Sequence, residues 1–141
     1  MIDNARFSIY SIEMDNIVQK QAKPRIVLIA GPYRSGTNDD PVKMAGNLHH
    51  LESVSYALFR AGYIPMIGEW VALPIWRTAG GKVVGDALYE EILHPTAERL
   101  IQHCDAVLRL EGASKGADND VRVARQLGIP VYFALADVPG C

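Results

Sequence analysis

Short blocks of aliphatic residues alternate along this sequence with segments whose apolar residues repeat at helical spacing. The most constraining block, residues 25–30 (RIVLIA), is a continuous, largely β-branched run that stops at Gly31. Such a run predicts a strand covered on both faces, because a strand with one wet face would alternate apolar and polar residues. Three further strands are predicted at residues 63–67, 105–110 and 129–135.

The segments between these blocks carry helix start and stop signals. Residues 39–41 (DDP) offer an N-cap followed by proline, and the apolar repeat behind them ends at Gly62, which predicts one helix. Two more helices are predicted, at residues 85–104 with a break at His94-Pro95 and at about residues 118–127. The glycines and prolines of residues 68–84 predict a turn and a loop.

The order of these elements is strand, helix, strand, helix, strand, helix, strand. Alternating strands and helices with short connections predict a parallel sheet with right-handed crossovers and helices on both faces. We therefore expect a three-layer α/β/α fold with a small parallel sheet of about four to five strands. Ligands of such sheets bind beyond the carboxyl ends of the strands, which directs attention to the loops at residues 31–40, 68–86 and 111–119.

Composition narrows the classes of function. The chain of 141 residues has 14 basic and 16 acidic residues, with neither sign clustered, so it offers no footprint for nucleic acid or an anionic membrane surface. No apolar run approaches the roughly 18 residues of a membrane span, and the first residues lack a signal-peptide core, so we expect a cytoplasmic protein. The expected partner is a small molecule or another subunit.

The two cysteines and four histidines do not form a recognisable metal or disulfide pattern. We therefore expect no metal and no cofactor, and any chemistry should rest on oxygen and nitrogen side chains. Residues 1–23 lack a sustained period and are interpreted as an N-terminal extension, either a flexible tail or a subunit-docking arm. Residues 24–141 are predicted to form a single domain.

The loop after the first strand contains candidate ligand-binding residues. Gly31 and Gly36 allow the backbone to approach a ligand, Arg34 and Ser35 suit a phosphate or carboxylate, and Tyr33 offers an aromatic face. The loop lacks the Gly-Lys-Ser/Thr of a P-loop and the GxGxxG pattern of a dinucleotide site. An ordinary turn with a surface arginine is the alternative interpretation.

The loop after the third strand is more informative. Ser114 and Gly116 lead into the last predicted helix, whose first N–H groups can hold an anion. Asp118 and Asp120 follow and are predicted to lie in its first turn. They are interpreted either as site carboxylates or as ordinary acidic residues at a helix start.

Three segments, IVLIAGPYRSG, CDAVLRLEG and SKGADNDVRVARQLGIPVY, together resemble the nucleoside 2-deoxyribosyltransferase superfamily, which includes small nucleotide N-glycosidases. The resemblance covers residues 25–135. It implies a flavodoxin-like α/β fold and cleavage or exchange of the N-glycosidic bond of nucleosides or nucleotides through a carboxylate nucleophile. It also implies a homodimer or larger homo-oligomer.

The resemblance assigns roles to particular residues. Asp120 stands at the position of the family's nucleophilic glutamate, with a side chain one methylene shorter. Ser114 matches the serine that binds the 5′-phosphate in the nucleotide-hydrolysing branch, and Arg34-Ser35 matches the phosphate side of that branch's first loop. Ala97 stands where the family often has an aspartate that protonates the leaving base.

The missing acid leaves alternatives open. Glu98 is adjacent to Ala97 but would face away around a helix, so Glu69 or Asp86 is considered as the proton donor instead. Trp70 is a candidate for stacking on a base. With the acid absent, the chain could also be a nucleotide-binding or sensing module without catalysis, or a structural subunit that binds no ligand.

Overall fold

The computed structural model describes residues 23–141, which form a parallel sheet with helices against both of its faces. The strands are β1 (Ile26–Ala30), β2 (Ile64–Ile67), β3 (Ala106–Arg109) and β4 (Val131–Tyr132). The helices are α1 (Pro41–Glu52), α2 (Ser55–Arg60), α3 (Gly68–Thr78), α4 (Ala87–Ile101) and α5 (Lys115–Gln126), and a 3₁₀ turn follows at Leu135–Asp137. The extension predicted for residues 1–23 lies outside the described residues, apart from Lys23.

The sheet has four strands in the order β2-β1-β3-β4, and all of its pairings are parallel. This confirms the expected α/β class with a small parallel sheet, as in a flavodoxin-like three-layer fold. In the β1–β3 pairing, Ala30 lies opposite Arg109, and the N–H of Leu110 donates to the carbonyl of Ala30 at 2.8 Å. The loops that follow β1 and β3 therefore emerge side by side.

Alternate residues of the central strands face opposite helix layers, and both faces are apolar. Val27 and Leu108 pack in the core beneath α1 and α2. Leu28 and Val107 pack in a second core beneath α4 and α5. Burial on both sides explains why β1 is an unbroken apolar run rather than an alternating one.

A third cluster joins α3 to α4, where the sequence pattern predicted a turn and a loop at residues 68–84. That prediction is wrong, because most of the segment is helix α3. Leu73 and Trp76 are buried against Tyr89 of α4, and this packing stabilises a helix despite Pro74 in its interior. Pro74 has no N–H to donate to the carbonyl of Trp70, and Trp70 is an exposed residue, so this loss does not fall in the core.

The same reasoning corrects the break predicted at His94-Pro95, since α4 continues through it. Pro95 leaves the carbonyl of Glu91 without an intrahelical donor, and Glu91 is exposed. The single helix predicted up to Gly62 is instead two helices, α1 and α2. The side chain of Ser53 donates to the carbonyl of His50, which competes with continued helix at this point.

Two boundaries near the carboxyl ends of the strands also differ from the prediction. The last helix begins at Lys115 rather than near residue 118, because Ser114 is its N-cap. β4 was predicted over residues 129–135 but spans Val131–Tyr132, the two residues that pair with β3. Among the described helices, none has both the length and the apolar content needed to cross a membrane.

The core beneath α1 provides a test of the packing. Leu51 is fully buried there, so Leu51→Ala should lower the free energy of unfolding by about 2–5 kcal/mol. Val42→Ala on the same helix is the matched control, because Val42 is 79% exposed and should cost less than about 0.5 kcal/mol. Urea titration measures both values, and equal losses in the two variants would contradict the packing described here.

Candidate active site

A cavity of about 260 Å³ opens at the carboxyl ends of β1 and β3. This volume is near the lower end of small-molecule sites, roughly 300–1,000 Å³. The walls come from the loop after β1, the start of α3, one face of α4 and the start of α5. The polar side chains of the lining belong to Tyr33, Arg34, Ser35, Glu69, Tyr89, Glu90, His94, Ser114, Lys115 and Asp120.

Most of the residues predicted as site residues lie in this lining. Gly31, Tyr33, Arg34 and Ser35 come from the loop after β1. Glu69 comes from α3, and Ser114, Gly116 and Asp120 come from the start of α5. The parallel sheet thus brings together residues that are far apart in the sequence.

The start of α5 presents hydrogen-bond donors to the cavity. Ser114 is 8% exposed and its Oγ accepts from the N–H of Ala117 at 3.1 Å, which leaves the hydroxyl proton free to donate. Helix geometry also leaves the N–H groups of Lys115 and Gly116 without intrahelical partners. This end of the cavity is suited to an anion.

Arg34 has a different environment from the one its loop position suggested. Its Nε donates to Asp39 at 2.7 Å and its Nη1 donates to Glu90 at 3.1 Å. Asp39 has a φ of 60° and Asn38 a φ of 50°, so the turn is held in a conformation that non-glycine residues seldom adopt. Arg34 lines the cavity, but its guanidinium is already paired with Asp39 and with Glu90, and this second pair links the first loop to α4.

Two carboxyl groups, Glu69 and Asp120, line the same cavity. Glu69 lies in the first turn of α3, and Asp120 lies on α5 one turn beyond the helix start. Burial and then the charge of Glu69 raise the pKa of Asp120 to about 7, against the lowering effect of Arg109. Burial also raises the pKa of Glu69. Since like charges resist joint ionisation, the two carboxyls titrate as a coupled pair that is only partly ionised near neutral pH.

Arg109 holds the end of β3 to α5. It is 8% exposed, and its Nη2 donates to Asp118 at 2.9 Å. Asp118 is therefore directed away from the cavity lining and toward this ion pair. Of the two aspartates singled out in the sequence, Asp120 is the one that lines the cavity.

Asp86 and Trp70, both predicted as site residues, lie outside the lining. Asp86 is the N-cap of α4, accepts from the N–H of Tyr89 at 2.8 Å, and accepts from Nε1 of Trp76 at 3.0 Å. These donors lower the pKa of Asp86 to about 2, so this carboxyl is ionised and already bonded rather than ready to give a proton. Trp70 donates to Glu52 at 2.9 Å on the outer side of α3.

Gly36 lines a second, more open groove of about 700 Å³ rather than the cavity itself. The groove lies between the loops that follow β1 and β3, and it shares a wall with the cavity. The residues common to both are Ser35, Ser114 and Lys115.

Apart from Ala97, the residues of α4 that form a wall of the cavity are not predicted from the sequence. Tyr89, Leu93 and Ala97 follow one another at i, i+4 spacing, with Glu90 and His94 beside them, and all five line the cavity. The spacing itself was a signal, since it defines one face of a helix. The break predicted at His94-Pro95 divides this face between two segments, so the pattern does not indicate one continuous wall.

Comparisons with protein-family models, with curated proteins and with solved structures found no match to this chain.

The raised pKa of Asp120 has a consequence for stability. A carboxyl whose pKa is about 7 when folded and 3.8 when unfolded destabilises the fold as pH rises between these values. We expect Asp120→Asn to raise the melting temperature by about 5 °C at pH 8. This corresponds to a gain of about 2 kcal/mol in the free energy of unfolding, after a reduction for solvent screening of the carboxylate. The gain should shrink as pH falls and vanish below the unfolded pKa of 3.8, where the Asp120 carboxyl is neutral in both the folded and the unfolded chain.

The control for this experiment is Asp137→Asn, since Asp137 is an exposed carboxyl outside the cavity. Thermal unfolding at several pH values should show no pH-dependent gain for this variant. A melting temperature of Asp120→Asn that is equal to or below that of the wild type at pH 8 would contradict the burial and charge environment assigned to Asp120.

Proposed function

We propose that this protein breaks the N-glycosidic bond of a nucleotide or nucleoside, as a hydrolase or as a transferase to a second base. The observation that carries the proposal is that two carboxyl groups, Glu69 and Asp120, line one cavity. Burial raises the pKa of both, and that of Asp120 to about 7, so the pair is only partly ionised near neutral pH. Cleavage of a glycosidic bond needs an acid for the leaving group and a carboxylate for the oxocarbenium-like centre. A pair with one proton supplies both.

In the proposed reaction the bond between C1′ of the sugar and the base nitrogen breaks, and its electron pair leaves with the base. In the reactive form of the pair the proton is on Glu69, which gives it to the base, while ionised Asp120 stabilises or traps the positive C1′. Water or a second base then attacks C1′, and the proton released on attack returns to the carboxyl pair. Asp120 takes the second role because its position matches the family's nucleophile.

Glu69 is assigned as the acid because of where it enters the cavity. Ala97, at the position of the family's usual acid, lines the cavity across from the start of α3. A Cβ built on Gly68 would lie 4.0 Å from the Cβ of Ala97, so Glu69 begins next to the position that Ala97 leaves without a carboxyl. Asp86 is not assigned as the acid, because its carboxylate caps α4.

The anion-binding end supports a 5′-phosphate on the substrate. The Ser114 hydroxyl and the first N–H groups of α5 would donate to the phosphate, with Ser35 on the facing loop. A Cβ on Gly116 would lie 3.9 Å from Cε1 of His94, so the imidazole also borders this end. Arg34 contributes charge near the mouth but remains bound to Asp39 and Glu90.

A second candidate function is nucleotide binding without cleavage, and Ala97 is the observation that favours it. In that case the cavity holds the same ligand, but Glu69 is not placed to protonate the base. The two functions differ in one result, since both predict ligand-induced thermal stabilisation and only the enzyme releases a free base.

The resemblance also underlies the proposal that the protein is a homodimer or larger homo-oligomer. Subunits of the family complete one another's sites, and closed cyclic assembly is the common solution for a chain that must present a site to its copy. This remains a prediction, which light scattering at micromolar concentration tests. A monomer would contradict it.

The activity is tested by incubating the protein with ribo- and deoxyribonucleosides and their 5′-monophosphates and separating free base by chromatography. Wild type should release base from at least one member of the panel. Glu69→Gln should reduce kcat/KM by about 10²–10⁴-fold through loss of the acid, and Asp120→Asn should abolish release. Because the pair must keep its proton, kcat/KM should fall as pH rises above about 7.

The exposed Asp137→Asn variant is the matched control and should release base at the wild-type rate. Base release that persists in Asp120→Asn would refute the assignment of Asp120. Release by no member of the panel, together with a thermal shift from the same ligands, would leave the binding module as the function.

A further inference from the structure

Tyr89 lines the cavity and has no role in the proposed reaction. It is 2% exposed, and its side chain lines the cavity. Among the buried side-chain polar atoms of residues 23–141, its hydroxyl is the one without a hydrogen-bond partner. An unpaired buried hydroxyl costs stability, so a group left in this state inside a cavity points to a ligand.

The ring of Tyr89 is fixed, so the hydroxyl has little freedom to find another partner. The ring packs edge-on against Trp76, with centroids 6.2 Å apart and planes at 90°. Asp86 holds both residues, because it accepts from the backbone N–H of Tyr89 and from Nε1 of Trp76. The carboxyl that the sequence suggested as an acid is thus part of the frame that positions Tyr89.

The packing of Tyr89 places it on the α3 side of the cavity. It belongs to the cluster that joins α3 to α4, with Leu73 and Trp76 of α3 and Tyr33 of the first loop. That cluster contains no residue of α5, where the donors for a phosphate lie. Tyr89 therefore lies on the side from which Glu69 enters the cavity, since Glu69 is in the first turn of α3.

We propose that the Tyr89 hydroxyl binds the leaving base by donating a hydrogen bond to an acceptor atom on the edge of that base. The inference rests on the proposed function, because that function decides which end of the cavity holds the base. Burial, and then the charge of Glu69, raise the pKa of Tyr89 above its usual range, so the hydroxyl keeps its proton and remains a donor. A ring nitrogen or carbonyl oxygen of a nucleobase is the matching acceptor.

Tyr89→Phe removes the oxygen and leaves the ring against Trp76. We expect this variant to melt at or above the wild-type temperature without ligand, since an unpaired buried hydroxyl is lost. The matched control is Tyr63→Phe, because the Tyr63 hydroxyl lies outside the cavity lining and donates to the carbonyl of Pro139 at 2.5 Å. The control should melt a few degrees lower. An equal drop in Tyr89→Phe would overturn the proposal.

Binding is then measured by calorimetry in the Asp120→Asn background, which prevents turnover. The probes are the nucleoside 5′-monophosphates of the activity panel and ribose 5-phosphate, which has the sugar and phosphate but no base. We expect Tyr89→Phe to weaken the nucleotides by about 10–100-fold and to change ribose 5-phosphate by less than about twofold. Tyr63→Phe should change neither.

The outcomes separate this inference from the proposed function. Equal weakening of nucleotide and ribose 5-phosphate, or no weakening of either, would overturn the role of Tyr89 while base release by wild type still supports the enzyme. If wild type neither binds nor cleaves any nucleotide of the panel, the proposed function fails and the role of Tyr89 fails with it.

Discussion

The parallel pairing of β1 with β3 is the constraint on which the candidate site depends. It sets Ala30 opposite Arg109, so the loops that follow these strands leave the same edge of the sheet next to each other. One loop carries Tyr33 and Ser35, and the other carries Ser114 and starts α5. Close packing on both faces of β1 keeps this register, because a shift by one residue would place side chains of a different size against each helix layer.

Glu69 is the electrostatic centre of the cavity. In Tyr33, Tyr89 and Asp120, burial is the largest cause of a raised pKa and the charge of Glu69 is the next. The cavity thus keeps the hydroxyls of Tyr33 and Tyr89 protonated and leaves its two carboxyls only partly ionised near neutral pH. Such an arrangement destabilises the folded chain at alkaline pH, and a cost of this kind is common where a site is organised for chemistry.

The sequence predicted the α/β class, the four strands and most of the loop residues of the cavity, because hydrophobic period and glycine positions are local signals. It did not predict α3 or the unbroken α4, since packing between Trp76 and Tyr89 outweighs the proline signals there. The same error hid Tyr89 as a site residue. Asp86 is the opposite error, a residue predicted for the site that lies outside it. The sequence does not distinguish an acidic side chain that enters a site from one that caps a helix, and Asp86 caps α4.

The central claim is that Asp120 and Glu69 form an electrostatically coupled pair of carboxyl groups inside one cavity. Carbon-13 NMR of the carboxyl groups, followed over pH in the wild type and in Glu69→Gln, measures it directly. The account predicts a pKa of about 7 for Asp120 in the wild type and a lower value in Glu69→Gln, still above 3.8 because burial remains. An Asp120 pKa near 3.8 that Glu69→Gln leaves unchanged would contradict the account.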